Sequence, residues 1–261
     1  MNLFASYLKN FLKFKGLLIQ LVSRDIKVKY KRSILGLFWS LLSPLLLMIV
    51  LSLVFSELFK FDIENYAAYL ICGQILFTFF SEATSLAMTS IVTSGQLVKK
   101  VYIPKYIFPL SKVMYSFVNL GFSLIALVLV FIFSDIHMKI NALFGIFSLI
   151  YLFIFCLGLG LILSSLSVFF RDIMHLYSVL ITAWMYITPI FYPIDIIPQK
   201  YILIIYSNPL FYFITYFRET VLYGNLPNLE LNSICLSISF TAFIIGLFIF
   251  YKQQDKFVLH I

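Results

Sequence analysis

Five positively charged side chains crowd into nine positions near the start of the chain. They are Arg24, Lys27, Lys29, Lys31 and Arg32, and the single acid among them is Asp25. Clustered Lys and Arg attract phosphate-bearing groups, and each cation contributes about 1 kcal/mol near an anionic membrane surface. The next charge is Glu57, so the cluster adjoins a long uncharged stretch. This stretch exceeds the length of about 20 residues that a helix needs to cross a bilayer. The pattern indicates cations held at the mouth of a transmembrane helix.

The rest of the chain offers little machinery for catalysis or for powering transport. No glycine is followed by lysine, so a GxxxxGK phosphate-binding loop is absent from the sequence. The three cysteines and three histidines are scattered and suggest neither a metal site nor a disulfide. Glu82 is the only carboxylate well inside an apolar stretch, where a charge costs on the order of 3 kcal/mol at the bilayer centre. It could form hydrogen bonds between helices, or it could take part in gating or substrate contact.

The composition is that of a membrane protein. The chain is 62% hydrophobic and 11% charged, with a mean hydropathy of +1.02, whereas soluble domains are about 25% charged. We predict one domain over residues 1–261 with an all-α, polytopic fold. Its six predicted transmembrane helices are 33–56, 66–92, 110–134, 141–168, 173–193 and 231–251.

Basic residues give the orientation. When alternate loops are grouped, fifteen of the nineteen Lys and Arg residues fall on the side of the N terminus. Positive charge is retained on the cytoplasmic side of membranes, so both termini are predicted to be cytoplasmic.

Two segments are predicted to lie along the membrane surface rather than to cross it. Residues 2–23 alternate apolar pairs with lysines at helical spacing, which predicts an amphipathic interfacial helix. This helix and the basic cluster together make residues 1–32 a predicted cytoplasmic segment at the membrane surface. Residues 194–229 are interrupted by Asn208-Pro209, so we expect one or two short re-entrant or interfacial helices on the outer side. The tyrosines of this segment could form an aromatic belt or an outer vestibule that stacks sugar rings.

The loop at 93–109 is the longest predicted cytoplasmic connection. It contains the sequence QLVKKVYIPKYIFP, which is more apolar than a solvated loop requires. Residues 97–103 could form a short amphipathic helix that ends before Pro104. Such a helix could rest on lipid headgroups or insert into a cleft of a cytosolic partner.

Three stretches together carry a resemblance to a known family. They read RDIKVKYKRSILGLFWSLLSPLL, QLVKKVYIPKYIFPLS and SVFFRDIMHLYSVLITAWMYITPIFYP. The sequence resembles the membrane subunits of ABC-2-type polysaccharide exporters, the permeases for O-antigen, capsule and teichoic acid chains, over nearly its full length. The resemblance implies a homodimer in the bacterial cytoplasmic membrane, joined by two copies of a separate ATPase that binds ATP and Mg²⁺. The chain itself would be no enzyme, would hold no cofactor, and would move a polysaccharide linked to undecaprenyl diphosphate. Membrane lipid would surround it, and nucleic acid would not be a partner.

The resemblance also implies three groups of site residues. Coupling to the ATPase would fall to Gln96, Leu97, Val98, Lys99, Lys100, Val101, Tyr102, Ile103 and Pro104. The cytoplasmic entrance for the carrier diphosphate would be formed by Arg24, Asp25, Lys27, Tyr30 and Arg32. Aromatic contacts to the sugar chain in the channel would come from Phe38, Trp39, Trp184 and Tyr186. Any single entrance residue would be explained equally well by the retention of positive charge on the cytoplasmic side of the membrane.

Other functions remain open at this level. An ABC-2 exporter of teichoic acid, capsule, or a non-glycan lipid or drug would share these features. A membrane enzyme acting on lipid-linked sugars would need grouped acids with metal-ligand spacing, which the outward acids lack. A self-sufficient secondary carrier is disfavoured because almost no charge lies within the spans.

Overall fold

A computed structural model of the chain describes residues 3–31, 33, 35–36, 38–59, 63 and 65–260. All regular secondary structure in these ranges is helical, which confirms the all-α fold. The α-helices are α1 Leu3–Tyr30, α2 Phe38–Phe59, α3 Tyr66–Thr93, α4 Gly95–Lys100, α5 Ile107–Phe133, α6 Gly145–Phe169, α7 Ile173–Ile187, α8 Gln199–Tyr206, α9 Pro209–Phe217, α10 Leu229–Gln253 and α11 Phe257–His260. Short 3₁₀ turns occupy Ile140–Phe144, Ile194–Ile196 and Gln254–Lys256, and a π-helical turn occupies Arg218–Leu222.

Five helical segments in the described ranges are long and apolar enough to cross a membrane. They are Phe38–Phe55, Tyr66–Thr93, Ile107–Phe133, Ile140–Phe169 and Leu229–His260. These segments confirm a polytopic membrane protein and correspond to the first four and the last of the predicted spans.

The predicted fifth span, 173–193, is helical only in part. Helix α7 has 15 residues and is about 22 Å long at 1.5 Å per residue, shorter than the roughly 30 Å hydrocarbon core. It ends at Ile187 because Pro189 has no N–H to donate and its ring disfavours helical geometry in the residue before it. A crossing at this point would need residues 188–193 as well as α7, so the count of six spans stays a prediction.

Helix α3 lies at the centre of the bundle and packs against α2, α5, α6, α7 and α9. Its fully buried side chains include Leu70, Ile71, Leu76 and Phe80. Helix α2 is peripheral, and among its described side chains, residues 38–55, only Met48 is buried. Helix α3 therefore forms the centre of the core, while α2 presents an almost continuous apolar surface.

Small residues allow helices α6 and α10 to touch through their backbones. A Cβ atom added to Gly158 would overlap the carbonyl group of Ala242, and one added to Gly246 would overlap the carbonyl group of Gly158. The sequence places Gly158 and Gly160 two residues apart, and Gly160 faces the methyl group of Ala87 in α3. Close helix approach at small residues is a common packing mode in membranes.

The segment predicted to be re-entrant or interfacial forms two short helices, α8 and α9, which meet at Asn208-Pro209. Pro209 occupies the first turn of α9, where its missing N–H is not needed. The Asn208 side chain caps α9 by accepting a hydrogen bond from the Leu210 amide at 3.0 Å. The Asn-Pro pair therefore separates two helices rather than kinking one.

Candidate functional site

Helix α1 packs against the bundle through an apolar face. Its buried Leu18 and Leu21 contact Ile107 at the start of α5. Half-buried Ile103 and Tyr106 of the preceding loop join the same cluster. Helix α1 continues to Tyr30, beyond the end of the predicted amphipathic helix 2–23. Its apolar face packs partly on protein.

Two ion pairs attach the last turns of α1 to the bundle. Lys112 of α5 donates to an Asp25 carboxylate oxygen at 2.7 Å, and both side chains are largely buried. Lys29 donates to Glu82 of α3 at 3.0 Å. Asp25 and Lys29 are four residues apart, so they share one face of the helix. The predicted entrance residue Asp25 therefore faces the bundle and also accepts from Arg24 at 2.9 Å.

Three cations of α1 line an open cavity of about 760 Å³ on a different face of the helix. Arg24, Lys27 and Lys31 are all exposed there, and their spacing of three and four residues places them in one stripe. The lining also includes Gln20, Ser23 and the apolar side chains of Ile26 and Val28, so the described wall is one surface of α1 that is widely open. Such a group of Lys and Arg side chains can bind phosphate oxygens, Arg in a bidentate fashion.

This arrangement agrees only in part with the predicted entrance residues. Arg24 and Lys27 line the cavity, whereas Asp25 turns away from it. Arg32 and the side chain of Tyr30 lie outside the described residues. Lys31 was part of the basic stretch but was not included in the predicted site. Its helical spacing from Arg24 and Lys27 is the sequence signal that would have identified it.

Glu82 lies in a polar contact between three helices. Besides Lys29 of α1, it accepts from the side-chain amide of Asn119 in α5 at 3.3 Å. The Lys29 ammonium also lies 5.6 Å from the ring centre of Tyr115. Of the two alternatives for Glu82, hydrogen bonding between helices agrees with these contacts.

The predicted coupling segment exposes apolar side chains in the short helix α4 and in the residues that follow it. Tyr102 is 94% exposed and Val101 is 54% exposed. Leu97, Gln96, Lys99 and Lys100 are exposed as well, while Val98, Ile103 and Pro104 are half-buried. Helix α4 ends at Lys100, earlier than predicted, because Val101 adopts an extended conformation. A loop that exposes aromatic and aliphatic groups beside lysines is suited to protein contact.

The four aromatic residues predicted to line a channel occupy two separate places. Phe38 and Trp39 are exposed in the first turn of α2. Tyr186 is exposed at the end of α7, but Trp184 packs edge-on against Phe80 with ring centres 5.2 Å apart. The Trp184 indole also donates to the Asn208 side chain at 2.8 Å. Trp184 therefore joins α7 to the turn before α9, and the channel role of all four residues stays a prediction.

Arg218 forms a buried contact that the sequence did not predict. Its guanidinium donates to the carbonyl oxygens of Tyr69, Pro189 and Ile190 at 2.9–3.2 Å. It also lies 3.4 Å from the ring centre of Tyr69. Gly73 leaves the space for it, because an added Cβ would come within 2.7 Å of a guanidinium nitrogen. No local sequence signal could have identified these acceptors, because they belong to distant backbone segments.

A second open cavity, of about 390 Å³, lies where α7 meets α8. Tyr186, Tyr192 and Tyr201 contribute to its wall together with isoleucines. The Tyr192 hydroxyl donates to the Tyr186 carbonyl at 2.8 Å, which fixes the bend after α7. Aromatic side chains flank the opening, as both alternatives for this segment require.

The apolar helical bundle, the basic helix along its surface and the exposed loop helix define a polytopic membrane protein of the transporter class. The family model described as ABC-2 type transporter matches residues 16–222. The chain belongs to this family.

Curated relatives cover nearly the whole chain. An O-antigen export system permease protein, RfbA, of Klebsiella pneumoniae is 34% identical over 92% of this chain and 93% of its own length. A second protein of that name from Klebsiella pneumoniae is 33% identical over the same shares. The RfbA protein of Myxococcus xanthus is 30% identical over 94% of this chain and 95% of its own length. The relatives agree with the family resemblance of the sequence.

Proposed function

We propose that this chain is the permease subunit of an ABC transporter that exports an O-antigen-type polysaccharide across the bacterial cytoplasmic membrane. The observation that carries the proposal is its similarity, over more than nine-tenths of its length, to relatives named as O-antigen export permeases. The chain provides a membrane path, and ATP and Mg²⁺ bind to a separate cytosolic ATPase. The absence of a GxxxxGK sequence from the chain supports this division of labour.

The polysaccharide enters attached to undecaprenyl diphosphate, and the diphosphate binds in the cavity of Arg24, Lys27 and Lys31. Exposed cations around an open cavity of about 760 Å³ support this assignment. Asp25 offsets part of the Arg24 charge, because one of its carboxylate oxygens accepts from Arg24 and the other from Lys112, while Lys27 and Lys31 keep the cavity side positive. The stripe therefore carries net positive charge where an anionic headgroup would arrive from the lipid surface.

Two copies of the chain form the transporter and bind two copies of the ATPase, with both termini cytoplasmic. The exposed apolar face of α2 is a surface at which two chains can pair. The ATPase binds at α4 and the residues that follow it. Tyr102, Val101 and Leu97 supply the apolar contacts, and Lys99 and Lys100 flank them.

Transport in proteoliposomes tests the proposed entrance. The permease and its ATPase are reconstituted, and ATP-driven movement of an undecaprenyl-diphosphate-linked glycan is measured. The variant Lys27→Gln with Lys31→Gln should raise the half-saturating glycan concentration about tenfold, equivalent to about 1.4 kcal/mol. The matched control is Lys13→Gln with Lys15→Gln, which removes the same charge from exposed positions of α1 outside the cavity. Equal effects of the two pairs would contradict a diphosphate site and leave general attraction to the membrane.

A further inference from the structure

The segment after α10 turns back onto the side of the bundle that carries α4. After α10 ends at Gln253, a 3₁₀ turn over Gln254–Lys256 leads into α11, Phe257–His260. We refer to residues 254–260 as the C-terminal hook. The Phe257 side chain is completely buried, although Leu259 is 82% exposed and Val258 is 42% exposed. One aromatic side chain therefore anchors an otherwise exposed segment.

Phe257 fills a cluster in which the ends of several helices meet. The cluster's other buried members are Ile91 of α3, Phe108 of α5, Leu161 and Val168 of α6 and Phe250 of α10. The Phe257 ring lies 5.4 Å from that of Phe250 and 6.0 Å from that of Phe169. His260 contacts Phe169 as well, with ring centres 4.9 Å apart. The hook thus joins α10 to the ends of α3, α5 and α6.

The coupling segment packs against the same cluster. Val98 of α4, together with Ile103 and Tyr106 of the following loop, packs half-buried against it. Lys105 adds a polar contact, because its ammonium donates to the Gln254 carbonyl and lies 5.9 Å from the ring centre of Phe257. The hook therefore contacts the inner side of a segment whose outer side is exposed.

A helix of this length needs such support. Helix α4 has six residues, whereas isolated helices shorter than about 12–15 residues are marginal in water. Its conformation must therefore come from tertiary packing, and the packing side consists of Val98 and the cluster that Phe257 fills.

We propose that Phe257 is a positioning residue for transport: the C-terminal hook holds α4 in the orientation in which Leu97, Val101 and Tyr102 meet the ATPase. The inference rests on the proposed function, in which the ATPase binds at α4. The hook connects that docking segment to α10 and α6, so movement of the bound ATPase passes to the membrane helices through the Phe257 cluster. Loss of the Phe257 ring uncouples α4 from the bundle while its exposed side chains remain unchanged.

A thiol reporter on the full-length permease tests the positioning directly. Val98→Cys places a reactive group on the packed side of α4, and Cys72, Cys156 and Cys235 are buried and contribute little background. In inside-out vesicles, adding Phe257→Ala should accelerate labelling of the introduced thiol by a membrane-impermeant maleimide about tenfold, equivalent to about 1.4 kcal/mol of local opening. Phe257→Leu should restore most of the protection. Leu259→Ala, at an exposed neighbouring position, should leave labelling unchanged.

Two further measurements keep the inference open to refutation. Should Phe257→Ala fail to insert, Lys105→Met leaves the Phe257 ring in place, removes the hydrogen bond to the Gln254 carbonyl and the ammonium–ring contact, and should still accelerate labelling. With ATPase present, Phe257→Ala should raise the ATP hydrolysed per glycan exported, and Phe257→Leu should reverse this change. Unchanged labelling in both Phe257→Ala and Lys105→Met overturns the inference. Failure of the ATPase to protect Tyr102→Cys from labelling would instead contradict the proposed docking site, whatever the hook does.

Discussion

The ammonium group of Lys29 lies 3.0 Å from a carboxylate oxygen of Glu82, and this contact joins the last turn of α1 to the middle of α3. Asp25 and Lys112 form a second connection at 2.7 Å, between α1 and α5. The basic helix thus uses one face to attach to the bundle, while Arg24, Lys27 and Lys31 line a cavity on another. Attachment rests on Asp25 and Lys29, whereas the proposed diphosphate site includes Lys27 and Lys31, so variants of these two lysines leave both ion pairs in place.

Glu82→Gln should loosen α1 without disturbing the spans. Both side chains of the pair are partly exposed, so we expect a loss of roughly 1 kcal/mol, equivalent to about fivefold faster tryptic cleavage within α1 in inside-out vesicles. The double variant Lys29→Glu with Glu82→Lys should recover slow cleavage at the α1 sites it retains, Arg24 and Lys27, because it restores an opposite-charge pair. Glu230→Gln, an exposed acid at the start of α10, serves as the control. Cleavage at the parent rate in Glu82→Gln would show that the pair does not hold α1.

Arg218→Lys should destabilise the protein although the charge is retained. A lysine ammonium cannot reach the carbonyls of Tyr69, Pro189 and Ile190 together, because it lacks the planar fork of guanidinium. Each buried acceptor left unsatisfied costs roughly 1–3 kcal/mol. The measurement is thermal unfolding in detergent, followed by a thiol-reactive dye that reports exposure of the buried cysteines Cys72, Cys156 and Cys235. Arg171→Lys at an exposed position is the matched control, and an equal unfolding temperature for both variants would refute the structural role of Arg218.

Lys99→Glu combined with Lys100→Glu should weaken binding of the ATPase. The exposed lysines flank the apolar side chains of the proposed docking segment, and reversal of both charges alters the segment's electrostatic complementarity. We expect about tenfold weaker association, or about 1.4 kcal/mol, measured by copurification at several salt concentrations. The double variant Lys13→Glu with Lys15→Glu changes charge equally on exposed positions of α1. Retained binding and transport in Lys99→Glu/Lys100→Glu would remove the assignment of α4 to coupling.

Gly158→Ala should separate α6 from α10. The new methyl group would overlap the Ala242 carbonyl, and a backbone atom cannot move aside as a side chain can. Overpacking of this kind costs roughly 1–3 kcal/mol, which we expect as a lower unfolding temperature in detergent. Gly121→Ala in α5 is a close control, since nothing lies within 4 Å of its added Cβ and the change in helix propensity is the same. Equal unfolding temperatures would mean that the two helices tolerate greater separation.

The sequence predicted most of the helices because transfer into a bilayer depends on the summed hydropathy of a segment. Helix α3, Tyr66–Thr93, therefore agrees with the predicted span 66–92 within a residue at its end. The agreement fails at 173–193, where Pro189 ends the helix although the segment remains apolar. Hydropathy measures the solvent a segment prefers, whereas its backbone conformation also depends on single residues.

The basic stretch from Arg24 to Arg32 was evident as a potential anion site from its composition alone. Its division into two faces was not, because Lys112 and Glu82, the partners of Asp25 and Lys29, lie 87 and 53 residues away along the chain. Arg218 and Tyr69 are separated by 149 residues. The sequence by itself determined an all-helical membrane protein with a cationic N-terminal segment, since those properties are additive over local residues, and the family resemblance indicated a transporter subunit. Only the tertiary structure decided which cations attach helices, which face an open cavity, and which side chain supports α4, since such roles depend on contacts between distant segments.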